Sequence, residues 1–366
     1  MAQINTTVGD IKGNRDLILS AMKKAGDLKA DLAVFPELSL TGYPPRDLLG
    51  LHGFVEANLQ ALDEIAAHTH EVAAIIGFVD FNRKKEGRAF YNSAAFLWQG
   101  KLQAVIHKTL LPTYDVFDED RYFERSEEVT LMPFRGRLLG ISICEDAWNP
   151  EDLGERQLYP LNPIRSQVEK GADLLINISA SPFELEKPKS RFHLLQGHVS
   201  RHKVPLIYVN LAGGNDDLLF DGNSIALGRH GNVIARGKSF AEDLLLVDTD
   251  SDDDLGYREQ ESLETLREAL VMGTRDYARK CGFTSAVLGL SGGIDSAVVA
   301  CIAAEAFGPQ NVLGVSMPSM YSAPKSFEDA RALAANLGIR FQAIPIESVF
   351  HAFEESLAEV FAGRPK

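Results

Sequence analysis

Residues 285–296 read Ser-Ala-Val-Leu-Gly-Leu-Ser-Gly-Gly-Ile-Asp-Ser, and a helix-forming run follows from Ala297 to Phe307. The apolar start of this stretch predicts a strand, and the glycine-rich turn after it carries two hydroxyls and a carboxylate. A helix N-terminus attracts anions because it has unpaired N–H groups and partial positive charge, and glycine lets the backbone close around a phosphate. The stretch therefore predicts a strand–turn–helix unit of an α/β domain that holds a phosphate.

The turn differs from the P-loop of many ATPases, which needs Gly-Lys followed by Ser or Thr. It resembles instead the pyrophosphate-binding loop of enzymes that split ATP into AMP and pyrophosphate to activate a carboxylate. We therefore predict an ATP site formed by eight consecutive residues: Gly289, Leu290, Ser291, Gly292, Gly293, Ile294, Asp295 and Ser296. The two serine hydroxyls are expected to hold the phosphates, and Asp295 is expected to bind Mg²⁺ directly or through water. The alternative is a glycine turn with a polar helix cap, but two adjacent glycines between serines exceed what a cap requires.

The residues around this loop predict a parallel sheet. After a predicted helix over 262–280, three predicted strands alternate with three predicted helices: strands 286–290, 312–317 and 341–346, and helices 297–307, 325–337 and 348–361. That alternation is typical of a doubly wound parallel sheet, which usually has more than three strands. We therefore expect residues 262–366 to be a partial, C-terminally truncated ATP-pyrophosphatase domain.

The first 250 residues alternate short apolar runs with amphipathic stretches, a pattern that predicts a layered α/β domain. The predicted strands are 31–35, 72–78, 94–98, 103–107, 138–144, 174–178 and 206–210. The predicted helices are 14–28, 55–68, 163–170 and 189–202. Residues 251–261 are acidic and lack an apolar run, so we predict a solvated linker there, between domains 1–250 and 262–366.

Composition narrows the possible partners and the location. Of 366 residues, 45% are hydrophobic, and 37 Lys and Arg against 51 Asp and Glu give a net charge of −14. Such acidity argues against nucleic-acid binding through a broad basic surface. No apolar run is long enough to span a membrane, and the N-terminus does not resemble a signal peptide. Because three widely spaced cysteines fit a reducing compartment, we predict a cytoplasmic protein without membrane contact.

Three reactive residues, Glu37, Lys108 and Cys144, stand at or just after the ends of predicted strands. The carboxyl ends of parallel strands are where α/β proteins collect their chemistry, so folding can bring these residues together. A cysteine attacks only as the thiolate, and a neighbouring ammonium lowers its pKa. Glu37 could take the thiol proton and later return it to a leaving amine.

The residues alone leave a plainer interpretation open. A cysteine at a strand end is more often a core residue than a nucleophile, and a lone glutamate after a proline is usually a cap or a surface group. Glu145 and Asp146 also place negative charge beside the thiol, which opposes its ionisation.

Four short motifs favour the catalytic interpretation over the plainer one: Phe35-Pro36-Glu37-Leu38, Thr41-Gly42-Tyr43-Pro44, His107-Lys108-Thr109-Leu110-Leu111-Pro112 and Ile143-Cys144-Glu145-Asp146. In their order and spacing they resemble the nitrilase/carbon–nitrogen hydrolase superfamily, and the resemblance covers the first domain. It implies an α-β-β-α sandwich. It also implies a catalytic triad in which Glu37 is the general base, Lys108 stabilises the tetrahedral intermediate and Cys144 is the nucleophile.

The same resemblance implies a glutamine site. In the loop after Pro112, Glu119 is expected to be a second carboxylate near the triad, and Tyr114 is expected to touch the substrate. Ser181 and Lys187 match positions that hold the amino-acid head group in glutaminase members of the superfamily. From the residues alone, the loop is better described as a solvated acidic segment, and a lysine after a Ser-Pro turn is a common surface residue.

The second half resembles the NAD synthetases, and a carbon–nitrogen hydrolase domain ahead of such a domain is the layout of the glutamine-dependent members. The resemblance implies that a Cys144 thioester releases ammonia from glutamine. It implies further that ATP adenylates deamido-NAD, which ammonia then converts to NAD. The expected substrates are glutamine, ATP with Mg²⁺, and deamido-NAD; we expect no prosthetic group, and the family suggests a homo-oligomer.

Three other hypotheses stay open at this point. One is a stand-alone nitrilase-type amidase or glutaminase with an inactive, truncated synthetase domain. Another is an amidotransferase that adenylates a different acceptor. The third is a scaffold without enzymatic activity.

Overall fold

The structure, a computed structural model, describes residues 1–149, 159 and 161–364. By their internal contacts the residues form two compact units, 1–265 and 266–366. The division lies just after the acidic segment for which the sequence predicts a linker. The domain limits 1–250, 251–261 and 262–366 stay predictions.

The first unit contains strands in four groups and helices between them. Its strands are β1 (Ala2–Gln3), β2 (Leu32–Val34), β3 (Ala73–Phe81), β4 (Phe90–Trp98), β5 (Lys101–His107), β6 (Leu131–Phe134), β7 (Arg137–Ile143), β8 (Leu174–Ser179), β9 (Leu206–Asn210), β10 (Ala212–Asn215), β11 (Leu218–Asp221), β12 (Ile225–Leu227), β13 (Val233–Arg236) and β14 (Asp243–Leu244). Its helices are α1 (Ile11–Asp27), α2 (Phe54–Ala66), α3 (Pro163–Glu169) and α4 (Lys187–His202), with 3₁₀ turns at Arg46–Gly50, Glu119–Arg121 and Cys144–Ala147.

Two sheets lie face to face between two layers of helices. One has the strand order β2-β3-β4-β5, and the other has the order β13-β12-β9-β8-β7-β6. In β3, Ala73 and Ile75 pack into the cluster between the sheets, whereas Ala74 and Ile76 pack with residues of α1 and α2. This alternation follows from the two-residue period of a strand, and it makes both faces of the sheet apolar.

The second sheet repeats the same arrangement. Ile176 of β8 belongs to the cluster between the sheets, and Leu175 packs with residues of α3 and α4 on the other face. The resulting order of layers is helix, sheet, sheet, helix, which confirms the predicted α-β-β-α sandwich.

The second unit is built on a three-stranded parallel sheet. Its elements are α5 (Ser262–Lys280, within which the division between the units falls), β15 (Ala286–Gly289), α6 (Ile294–Phe307), a 3₁₀ turn (Pro309–Asn311), β16 (Val312–Ser316), α7 (Pro324–Leu337), β17 (Arg340–Ala343) and α8 (Glu347–Leu357). The strands pair in the order β15-β16-β17, all parallel. Residues of α6 and α7 pack with Leu290 and Val312 in one apolar cluster. The predicted parallel order is therefore confirmed.

Each predicted strand and helix is present, with its ends shifted by a few residues. Two of these differences can be described locally. Strand β4 begins at Phe90, four residues before the predicted start at residue 94. The prediction begins late because Asn92 and Ser93 interrupt the apolar run of the sequence, yet both residues are fully buried in the strand. Helix α6 begins at Ile294 directly after Gly293, which precedes it in an extended conformation.

The acidic segment after β14 is mostly exposed, yet it is tied to the first unit. The backbone N–H of Leu255 donates to Val233 O at 2.8 Å. The ring of Tyr257 stacks on Phe192 of α4 with 3.9 Å between centroids, and the Arg236 guanidinium lies 5.1 Å from the same tyrosine ring. Most of the side chains in this segment are exposed, but Leu255 and Tyr257 attach it to the first unit.

In the described part of the chain, no helix is both long and apolar enough to cross a lipid bilayer.

We expect Ile176→Ala to destabilise the sandwich by about 2–5 kcal/mol, because the substitution leaves a cavity where the two sheets meet. Hydrogen exchange at the buried amides of β8 measures the opening of this unit separately from the other. Leu102→Ala, at a β5 position that is 43% exposed, serves as the control and should change the opening free energy little. Equal effects of the two substitutions would contradict the two-sheet core.

Candidate active site

Glu37 and Lys108 lie at the same end of the four-stranded sheet, although they follow its two opposite edge strands, β2 and β5. Strand β2 is parallel to β3, and two antiparallel steps through β4 make β5 run in that direction too. The loop that carries Glu37 lies directly on β3, where Gly77 has no side chain; a Cβ there would come within 2.3 Å of Leu38 N. The close approach requires glycine at that position, and it brings Glu37 toward the end of β5.

The ammonium of Lys108 is enclosed by two carboxylates. Lys108 Nζ lies 2.7 Å from Glu37 Oε1 and 2.9 Å from the Glu119 carboxylate, and all three side chains are at most 5% exposed. Burial acts to lower the pKa of Lys108, but Glu119 and Glu37 overcome it and hold that pKa well above its usual value. Burial raises the pKa of Glu119, against the effect of Lys108. The lysine is therefore a fixed cation.

Three neutral donors complete this cluster. Asn92 Nδ2 donates to Glu37 Oε1 at 2.7 Å, and the backbone N–H of Ala180 donates to Glu37 Oε2 at 2.8 Å. The Tyr43 hydroxyl donates to Glu119 Oε1 at 2.8 Å. Each carboxylate therefore keeps hydrogen bonds that replace the water lost on burial.

Cys144 lies immediately after β7, at the first position of the 3₁₀ turn. Its φ is +44°, a left-handed conformation that is uncommon for residues other than glycine and that often occurs at functional sites. Burial and the charge of Glu37 raise the pKa of the Cys144 thiol well above its usual value, although Lys108 acts to lower it. Lys108 therefore acts on the thiol pKa in the direction expected from the sequence, but burial and Glu37 outweigh it.

The two acidic residues after the cysteine have different partners. Burial raises the pKa of Glu145 to about 7, and its carboxylate accepts the hydroxyls of Tyr114 at 2.9 Å and Tyr159 at 3.3 Å. Asp146 accepts three backbone N–H groups, those of Thr109, Leu110 and Ile143. Burial raises the pKa of Asp146 to about 6, and these bonds act in the opposite direction. Of these two acids, Glu145 therefore depends on side-chain hydroxyls and Asp146 on backbone N–H groups.

The residues predicted to bind glutamine lie around the same place. Tyr114 reaches Glu145, next to the cysteine, and Glu119 reaches Lys108. Lys187, the first residue of α4, has its ammonium 5.8 Å from the Phe117 ring and 5.9 Å from the Trp148 ring.

Ser181 is buried close to these groups. Its backbone N–H donates to Asn210 Oδ1 at 3.0 Å, and the preceding residue, Ala180, contacts Glu37. The structure thus brings the triad and all four of these residues into one region of the first unit.

Four further residues belong to this region and escape prediction from the sequence: Tyr43, Asn92, Glu145 as a hydrogen-bond acceptor, and Asp146. Asn92 carries a usable signal, since an amide inside an otherwise apolar strand must find buried partners. For the two acids, adjacency to Cys144 suggests only unfavourable charge, because the sequence does not show in which direction each carboxylate points.

The predicted ATP loop connects β15 to α6 in the second unit. Gly292 has φ +85°, and a Cβ there would come within 2.1 Å of Ser326 O, so glycine is needed for this close approach. The two serine hydroxyls lie 3.0 Å apart, and Ser291 Oγ also accepts the N–H of Gly293 at 3.2 Å. The loop is thereby held compactly ahead of the N-terminus of α6.

The remaining residues of the octet differ in exposure. Leu290 is buried at 1% exposure in the apolar cluster, so only its backbone is available to a ligand. Asp295 lies in the first turn of α6 and is exposed, like Ile294. Among the described residues, no group of three or more His, Cys, Asp or Glu side chains is arranged to hold a metal ion. A cation at Asp295 would therefore need further oxygen ligands, as Mg²⁺ takes from phosphates.

Family models match both units. The carbon-nitrogen hydrolase model matches residues 1–254, and the NAD synthase model matches residues 266–362. The protein therefore combines a carbon–nitrogen hydrolase domain with an NAD synthase domain.

Similar proteins share this combination. The chain is 43% identical over 375 aligned residues to the glutamine-dependent NAD(+) synthetase of Synechocystis sp., covering 100% of this chain and 67% of that relative. A solved structure of the Acinetobacter baumannii glutamine-dependent NAD+ synthetase in complex with ADP has a TM-score of 0.88 and 32% identity, covering 100% of this chain and 68% of that one. The chain belongs to the glutamine-dependent NAD(+) synthetases, ligases that carry an amidohydrolase domain, and it spans about two thirds of their length.

The first unit also resembles single-domain amidases. An amidase from Nesterenkonia sp. AN1, captured after Michael addition of acrylamide at its active-site cysteine, has a TM-score of 0.57 and 25% identity. The match covers 68% of this chain and 91% of that one.

We expect Tyr114→Phe to raise the pKa of Glu145 above its value of about 7, because the hydroxyl stabilises the carboxylate form. Loss of one hydrogen bond to a charged group corresponds to about one pH unit. Isotope-edited infrared titration of the glutamate carboxyls measures the pKa of Glu145, and the Glu145→Gln variant assigns its signal. Tyr122→Phe, whose hydroxyl binds the exposed Asp47, is the matched control. An unchanged midpoint would show that Tyr114 does not stabilise this carboxylate.

Proposed function

We propose that the first unit hydrolyses glutamine through a thioester on Cys144, and that the ammonia serves an ATP-dependent amidation of deamido-NAD in the second unit. The observation that carries this proposal is the buried Lys108 ammonium between Glu37 and Glu119, beside a cysteine held at positive φ. A fixed cation and a carboxylate base next to a thiol are the groups that amide hydrolysis requires.

In the proposed reaction Glu37 removes the thiol proton as Cys144 Sγ attacks the amide carbon of glutamine. The raised pKa of the resting thiol makes this base necessary, because the thiolate is not preformed. Lys108 stabilises the oxyanion of the tetrahedral intermediate. Glu37 then gives the proton to the departing nitrogen, which leaves as ammonia, and a water molecule activated by Glu37 hydrolyses the thioester to glutamate.

We propose that Tyr114, Glu119, Ser181 and Lys187 form the glutamine site. Lys187 supplies a cation for the substrate carboxylate. Its ammonium lies beside two aromatic rings at the edge of the region. Glu145 supplies an anion for the substrate ammonium, next to Cys144. This assignment adds Glu145 to the residues predicted from the sequence. The opposite charges suit an amino acid that carries both an ammonium and a carboxylate.

In the second unit we propose that the loop Gly289–Ser296 binds ATP. The N–H groups at the start of α6 and the hydroxyls of Ser291 and Ser296 would hold the phosphates. Asp295 would hold Mg²⁺ together with phosphate oxygens, and the ion would neutralise charge on the leaving pyrophosphate. A homo-oligomeric assembly and a cytoplasmic location stay predictions.

The alternative of a stand-alone amidase is not favoured, because both family models match this chain and its relatives are named glutamine-dependent NAD(+) synthetases. The resemblance of the first unit to an amidase concerns only the hydrolytic half of the proposed reaction.

We expect Cys144→Ala and Glu37→Gln each to lower glutamine hydrolysis by about 10³-fold or more, because the nucleophile and its base act as a unit. Released ammonia and glutamate measure the rate, and mass spectrometry after treatment with a diazoketone analogue of glutamine locates the labelled residue. Cys281→Ala and Cys301→Ala, at exposed cysteines, are the controls and should keep wild-type turnover. Turnover that survives in Cys144→Ala would place hydrolysis elsewhere.

We expect Asp295→Asn to weaken Mg·ATP binding by about tenfold, about 1.4 kcal/mol, and to leave metal-free ATP binding unchanged. Calorimetric titration of ATP with and without Mg²⁺ measures the two affinities separately. Glu305→Gln is the matched control, since this acid lies in the same helix and pairs with Arg267. A loss that persists without Mg²⁺ would argue against a metal role for Asp295.

A further inference from the structure

Asp146 connects the two sheets at the end of the strands where Glu37, Lys108 and Cys144 lie. Its Oδ1 accepts the N–H groups of Thr109 at 3.0 Å and Leu110 at 2.8 Å, the two residues directly after Lys108. Its Oδ2 accepts the N–H of Ile143 at 3.0 Å, the residue directly before Cys144. One carboxylate therefore holds the chain next to the lysine and the chain next to the cysteine.

The two segments belong to different sheets. Lys108 follows β5 in the four-stranded sheet, and Cys144 follows β7 in the six-stranded sheet. Between these sheets lies an apolar cluster, and apolar contact is non-directional. Hydrogen bonds have preferred lengths and angles, so the bonds from Asp146 restrict sliding that the apolar contact permits.

Burial makes this connection strong. Asp146 is only 2% exposed, so water does not compete for its oxygens, and bonds to a charged acceptor are about twice as strong as neutral ones. Its oxygens accept from backbone groups, whose positions are fixed by the chain on either side.

We infer that Asp146 is a positioning residue that fixes the Lys108 ammonium relative to the Cys144 thiol through the backbone on both sides. It touches neither the substrate nor the reacting atoms. The inference rests on the proposed function in that it assigns Lys108 and Cys144 their catalytic roles. It goes beyond that function by naming what sets their separation, across two sheets that share no strand pairing at this point.

Asp146→Asn tests the inference with a side chain of the same shape. The amide oxygen still accepts from Thr109 and Leu110, but an NH₂ group then faces the N–H of Ile143, so the tie to the cysteine is lost. We expect turnover of glutamine to fall about 100-fold, since misplacement by about 1 Å has costs of that size. KM should change less than threefold, because the residues proposed to bind glutamine are untouched.

A second readout does not require glutamine. The rate of Cys144 alkylation by iodoacetamide, followed against pH, reports the ionisation of the thiol. Because Lys108 acts to lower that pKa, loss of the bond to Ile143 should loosen Cys144 relative to the lysine and move the alkylation midpoint to higher pH in Asp146→Asn. If the wild-type protein fails to hydrolyse glutamine, the proposed function fails, and this readout still decides the role of Asp146.

Asp173→Asn is the matched control. Asp173 Oδ1 also accepts a backbone N–H of β7, that of Leu138 at 3.1 Å, but at the opposite end of the strand from Cys144. It should leave turnover and the alkylation midpoint at wild-type values. Wild-type behaviour of Asp146→Asn, or equal losses in the two variants, would overturn the inference.

Hydrogen exchange in the wild-type protein covers the case in which Asp146→Asn does not fold. The amides of Thr109 and Leu110 lie beyond the last residue of β5, where Asp146 is their acceptor. We expect them to exchange as slowly as the amides within β7. Fast exchange at these two positions would overturn the inference.

Discussion

The enclosure of one ammonium by two carboxylates is the constraint on which the active region depends. Each ion of Lys108, Glu37 and Glu119 loses several kcal/mol of hydration on burial, and removal of one partner leaves the others uncompensated. Two carboxyl groups share one ammonium, so the cluster also needs the neutral donors Asn92 and Tyr43. These side chains come from separate strands and loops. The sandwich must therefore bring the ends of those strands together before the buried charged groups have their partners.

The same cluster bears on the ionisation of Cys144, the proposed nucleophile. A buried thiol beside Glu37 has a raised pKa, even though Lys108 is close enough to act on it. In the proposed reaction this arrangement limits thiolate formation to the moment of attack, when the proton moves to Glu37 and negative charge develops near Lys108. The hydrolytic half therefore depends on placement of the three groups more than on a permanently reactive sulfur.

The sequence predicts the layers well, because long periodic runs such as those of α1 and α2 decide their own secondary structure. It predicts the site only through motifs, since no pattern in the chain shows that Glu119 contacts Lys108. Asp146 demonstrates the limit most clearly: beside a cysteine it suggests repulsion, whereas folding directs its oxygens to three backbone N–H groups. Short strands such as β10 and β14 escape prediction because tertiary pairing, not local pattern, forms them.

The stack of Tyr257 on Phe192 sets where the hydrolase unit can be cut for separate expression. Composition suggests a border near residue 250, but a fragment that stops there would lose the tyrosine ring and leave Phe192 facing water. Phe192 lies in α4, the helix whose first residue is Lys187. A fragment that extends past Tyr257 keeps that helix covered, and it is the sensible starting point for dissecting this enzyme into its parts.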